Sequence, residues 1–129
     1  MGLAQTGVPA EVKRFIAAEI ESVGQLEVLL LLRGVADKSW TAEEVARALV
    51  MQTPSVEIWL QTMAVRGLVA AADDTYRFAP PSAEVERTID GLAESYAKYR
   101  VAVIGVIFSR PSEGVTRFSE AFRIRRRDD

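Results

Sequence analysis

Residues 41 to 79 carry so many local stop and start signals that few arrangements remain open to them. Thr41 with Glu44 three residues later forms a capping box, and Val45 and Leu49 follow at helical spacing. The short turn Met51-Gln52-Thr53 comes next. Thr53-Pro54 reads as a cap followed by a proline at the first helical position, where the missing N–H has no intrahelical partner to lose. Val56, Leu60 and Met63 share one face of this second helix, and Gly67 stops it. Leu68 to Ala72, the pair Asp73-Asp74, and Tyr76 to Phe78 then read as a hairpin with an acidic tip. The segment is therefore expected to be a helix, a tight turn, a helix and a two-strand ribbon.

That order resembles the winged helix-turn-helix regulators, MarR-like proteins in particular, over roughly residues 23 to 79. The residues carrying the resemblance are Ala46 and Leu49 in the first helix, Val56, Leu60 and Met63 in the second, and the run Arg66-Gly67-Leu68-Val69. It implies a mainly α fold with a small antiparallel β wing, to which an N-terminal helix and long C-terminal helices are added. It also implies a transcriptional regulator whose second helix enters the major groove of double-stranded DNA. The residues placed to meet DNA are Ser55, Gln61 and Thr62 on that helix, with Arg66 and Arg77 at the wing.

The charges in this region point the other way. No lysine or arginine lies between Arg47 and Arg66, and Glu57 stands where phosphates would approach. Over residues 41 to 79 there are three arginines against five acids, Glu43, Glu44, Glu57, Asp73 and Asp74, a net −2. That sign does not suit an electrostatic footprint on DNA. Winged helices also act as protein-binding modules, so an adaptor without DNA binding is the alternative, with Glu57, Ile58 and Trp59 as its contacts. The spacing puts Trp59 at the edge of the buried face, where a tryptophan is either core or an interface anchor. If DNA is bound, the attraction must come from Lys13, Arg14, Arg66, Arg77 and the tail.

Three segments are expected: a helical extension over 1–22, the winged region over 23–79, and C-terminal helices over 82–129. Val12, Phe15, Ile16 and Ile20 give the first helix its apolar face after Pro9. Ser22 with Gln25 caps the next helix, which carries Val28 to Leu32 and ends near Gly34. Trp40 is expected in a short strand joining the wing. After the linker Ala79-Pro80-Pro81-Ser82, residues Val85, Ile89, Leu92, Tyr96, Tyr99, Val103 and Val106 recur at alternating spacings of four and three. This heptad pattern predicts one helix from Ala83 to Ser109. A second stripe, Ala97, Val101, Ile104 and Phe108, appears in its later half. A helix with two apolar stripes wants two partners, so a homodimer is expected through Leu92, Tyr96, Tyr99, Val103 and Val106. Beyond Pro111, residues Val115, Phe118 and Phe122 share a helical face, followed by Arg123, Arg125, Arg126 and Arg127. Arginines there suit a helix C-terminus or an anchoring arm for an acidic surface.

Composition removes most chemistry. The 129 residues include no histidine and no cysteine, which takes away the usual neutral-pH base, the thiol nucleophile and the commonest metal ligands. The eight glycines form no phosphate loop. No enzyme, cofactor or metal is expected. Net charge is −2, the longest apolar run is far short of the roughly 20 residues a membrane span needs, and no signal peptide opens the sequence. A soluble cytoplasmic protein without membrane contact is the expectation.

Overall fold

A computed structural model describes residues 7–109, which fold into a mainly helical assembly with one small three-stranded antiparallel sheet. The elements are α1 (Ala10–Glu19), α2 (Val23–Gly34), β1 (Trp40–Thr41), α3 (Ala42–Leu49), α4 (Thr53–Val65), β2 (Val69–Ala72), β3 (Thr75–Phe78), α5 (Ala83–Lys98) and α6 (Arg100–Ser109). The strands lie in the order β1-β3-β2, with Trp40 opposite Tyr76 and Val69 opposite Phe78. Val69 and Phe78 thus turn one face of the hairpin into the core, and Ala70 and Arg77 lie on the other.

Local chemistry explains most boundaries. Thr41 Oγ1 accepts from the Glu44 N–H at 3.1 Å, and the Glu44 carboxylate accepts from the Thr41 N–H at 3.0 Å, completing the expected capping box. Ser22 and Ser82 each accept from the backbone N–H three residues on, at 3.1 Å, and so open α2 and α5. Helix α4 ends with Gly67 at φ 83; the Leu68 N–H donates to Met63 and the Gly67 N–H to Ala64, which satisfies two of the last carbonyls. Asp73 takes φ 57 in the two-residue hairpin loop, a conformation that aspartate tolerates better than most residues.

Two boundaries differ from expectation. Thr53 makes no capping bond: Gln52 is the residue before α4, and Thr53 and Pro54 occupy its first turn. The single helix expected from Ala83 to Ser109 is two. Tyr99 breaks it with φ −133 and ψ 53, and the chain restarts at Arg100. The break lets both pieces bury their apolar faces on α1: Ile89, Leu92 and Tyr96 from α5, Val103 and Ile107 from α6. A straight helix over 27 residues, about 40 Å, would outrun α1, which has ten residues. Gly91 permits the close α1–α5 approach, since a Cβ there would lie 3.3 Å from Val12.

One core cluster runs through all helices and the hairpin. Helix α2 is at its centre, with Leu26, Val28, Leu29 and Leu32 buried against α3, α4 and β3. The segment expected as an N-terminal extension shares this core through Val12, Ile16 and Ile20. Gln25, fully buried, ties the two ends of the α1–α2 corner: its amide nitrogen donates to the Glu19 carbonyl and its oxygen accepts from the Glu21 N–H. Both halves of a buried amide are thereby satisfied, which removes the main cost of burying it.

Candidate partner-binding face

Helix α4 buries Val56, Leu60 and Met63, and this fixes what it turns outward. Ser55, Glu57, Ile58, Gln61 and Val65 are exposed, and Thr62 is half-buried. Ile58 keeps 61% and Val65 88% of its surface in water. Seven residues apart, they lie on the same side of the helix after two turns. Trp59 is half-buried against Gly24 of α2, where a Cβ would overlap the indole ring. It belongs to the rim of the core.

The hairpin tip stands beside the start of α4. Glu43, Glu57 and Asp74 line the groove between them, with Thr41, Ala42, Thr53 and Tyr76 completing its walls. Among the described residues, no basic side chain lines it. A neighbouring groove at the α3–α4 turn contains Arg47 beside Val50, Met51 and Gln52. Val50 ends α3 in the left-handed conformation, φ 56 and ψ 58, and is 91% exposed. A β-branched residue adopts that conformation only under strain of order 1–2 kcal/mol.

The arginines expected at the wing are not equivalent. Arg66 turns away from the α4 face: its guanidinium donates to the Ala18 carbonyl at 2.7 Å and bridges to Glu19 at 3.2 Å and Glu21 at 3.3 Å. Two carboxylates neutralise it, so it is a clamp between the end of α4 and the α1–α2 corner and not a free cation. Arg77 is exposed on β3, and Lys13 and Arg14 are exposed on α1. Arg123, Arg125, Arg126 and Arg127 lie outside the described residues.

Most of the residues expected at a dimer seam are buried within the chain. Leu92 and Val103 are fully buried within the chain, and Tyr96 nearly so, because that stripe closes on α1 and α2. Val106 is half-buried in the same core. Only Tyr99 of the set is substantially exposed, at the helix break. The Tyr96 hydroxyl donates to Glu27 at 2.9 Å, and Arg100 reaches the same carboxylate at 3.2 Å while lying 4.5 Å over the Tyr96 ring. Burial and the bond to Glu27 hold the Tyr96 phenol above its ordinary pKa.

Sequence reasoning missed Val65 and the role of Glu27. Val65 was detectable, since it follows Ile58 by one heptad. Glu27 carried no local signal, because its partners are 69 and 73 residues away. Among the described residues no group of acids could hold a metal ion, and no helix is long and apolar enough to cross a membrane.

No protein-family model matches the chain, and no curated protein matches it significantly. Among solved structures, the crystal structure of the S-adenosylmethionine-dependent methyltransferase SibL in its apo form is similar over 72% of this chain, at 24% identity and a TM-score of 0.46. The chain spans about a quarter, 26%, of that methyltransferase's length. A likeness of this size assigns neither fold nor function.

Proposed function

We propose that the chain is a non-enzymatic winged-helix module that docks another protein on the outward face of α4, in the cytoplasm. One observation carries this: α4 exposes Ile58 and Val65 beside Glu57 and has no lysine or arginine along its length. Apolar groups set among a few polar ones suit a protein surface, whereas phosphates need cations. The groove lined by Glu43, Glu57 and Asp74 adds negative potential where DNA would approach, and Arg66 at the end of α4 is paired with Glu19 and Glu21. The partner surface that fits is apolar at its centre and basic at its edge.

The regulator reading keeps one supporting feature. Ser55 and Gln61 are exposed and polar on the helix that would enter the groove, with Thr62 beside them. On that reading the attraction to DNA comes from Arg77 and the arginines of the tail.

A salt titration of binding to random-sequence duplex DNA separates the two. The adaptor is expected to bind weakly at every salt concentration. A log–log slope approaching −0.9 for each of several phosphates would overturn it in favour of the regulator.

A further inference from the structure

The link between α5 and α6 is a single residue, and no local signal puts it there. Tyr99 alone lies outside both helices, at φ −133 and ψ 53, and Lys98-Tyr99-Arg100 contains neither glycine nor proline. The apolar spacings of four and three that begin at Val85 run through it to Val106 without a slip, and a second series from Ala97 to Phe108 does the same.

The bend also interrupts the hydrogen-bond ladder. The Tyr99 N–H donates to the Ser95 carbonyl, and the Val103 N–H donates to the Tyr99 carbonyl. Between them, the N–H groups of Arg100, Val101 and Ala102 open α6 and have no acceptor within that helix, while the carbonyls of Tyr96, Ala97 and Lys98 close α5. In one straight helix these three donors meet these three acceptors. What holds the bend is tertiary. Only by folding back does α6 reach α1 of its own chain, where Val103 and Ile107 are buried. The Tyr99 ring lies against Gly7, where a Cβ would overlap it. A second copy of the chain offers the same α1 surface.

We infer that two copies of this chain exchange α6. In each copy α5 and α6 join into one helix, and its far half takes on the other copy's α1 the place that α6 occupies in the single chain. Val103 and Ile107 stay buried in the same surroundings, and each chain gains three backbone hydrogen bonds. Exchange of an identical element is a low-cost route to a dimer because the contact already fits. The entropy of association opposes it, so the balance between bent monomer and exchanged dimer depends on concentration. The exchange concerns α1, α5 and α6 and is independent of what α4 binds.

Refolding from urea at low and at high protein concentration, followed by sedimentation velocity, should give the larger dimer fraction in the concentrated sample. Arg100→Pro separates exchange from side-by-side pairing. A proline at the first position of α6 removes an N–H that the bent form does not use, whereas inside a straight helix it is a breaker. It should weaken the dimer by about a hundredfold or more while the monomer keeps its circular dichroism. Tyr99→Ala should act in the opposite direction, strengthening the dimer about fivefold, since alanine favours the straight helix and gives up the contact with Gly7. A chain that stays monomeric after concentrated refolding, or a dimer that survives Arg100→Pro, would overturn the inference. Should Arg100→Pro fail to fold, a dimer no stronger in Tyr99→Ala than in the parent chain overturns it alone.

Discussion

Helices α4 and α6 have the same kind of inner face and different outer ones. Each buries a short aliphatic stripe: Val56, Leu60 and Met63 from α4, Val103 and Ile107 from α6. Outward, α4 separates Ile58 and Val65 with Glu57, Gln61 and Thr62, whereas the α6 stripe of Val101, Ile104 and Phe108 has no polar side chain within it. A mixed face remains compatible with water while it waits for a partner. An unbroken apolar face is stable only when covered. Two exposed faces in one chain thus call for different partners: an intermittent one at α4 and a permanent one at α6.

The inner faces should behave alike, and there the largest effects are expected. Leu60→Ala and Ile107→Ala each remove a buried side chain and should cost about 2–5 kcal/mol in urea denaturation. A near-neutral Ile107→Ala would mean that α6 is attached to the core less firmly than α4, and the comparison would lose its common base.

The outer faces should not behave alike. Phe108→Asp should lower stability by about 1–2 kcal/mol where a partner covers the α6 stripe, and by no more than about 0.5 kcal/mol where the ring, 76% exposed, stays in water. Ile58→Asp should stay within about 0.5 kcal/mol, as surface substitutions usually do, while weakening capture of a protein partner. Equal losses from the two variants in the same denaturation series would erase the distinction between a covered and a waiting face.

Much of α4's surroundings was legible in the sequence, and less of α6's, for a physical reason. Helices α3 and α4 are bounded by signals a few residues long: the Thr41–Glu44 box that opens α3, and Pro54 and Gly67 at the two ends of α4. Each acts through neighbouring backbone groups, so spacing alone reveals it. The break at Tyr99 has no such signal. Nothing in Lys98-Tyr99-Arg100 stops a helix, and the heptad spacing runs straight through it. The break follows from the length of α1 and from the pull of Val103 and Ile107 into the core, which are tertiary causes. The ion pairs of Arg66 were invisible in the sequence for the same reason, since its carboxylate partners are 45 and 47 residues away. Val50 shows the reverse: a left-handed helix end that sequence would have given to glycine.

A smaller effect tests how α6 joins the rest. The Tyr96 phenol bridges α5 to Glu27 of α2, and its pKa in the folded chain lies above the ordinary 10.0. Folding therefore favours the neutral phenol. Its contribution is whole below pH 10, and it is lost as pH rises through the raised value. Stability should fall above that pH, and the fall should be blunted in Tyr96→Phe, which itself costs about 1 kcal/mol at neutral pH. An identical alkaline profile in the two proteins, followed by circular dichroism, would show that the α2–α5 bridge contributes nothing to holding α6 in place.

Glu57→Arg should change stability least and inform most. Glu57 is exposed and lines the groove at the hairpin. Its replacement should alter folding by no more than about 0.5 kcal/mol. If α4 faces a protein with basic edges, the reversed charge repels it and slows association, most clearly at low salt. If α4 faces DNA, the same change turns repulsion into attraction and should steepen the salt slope by about one unit. The two outcomes have opposite signs in one variant, so anisotropy with labelled random duplex decides between them. Unchanged DNA binding in Glu57→Arg leaves α4 as a protein-facing surface, and tighter binding makes it a groove-facing one.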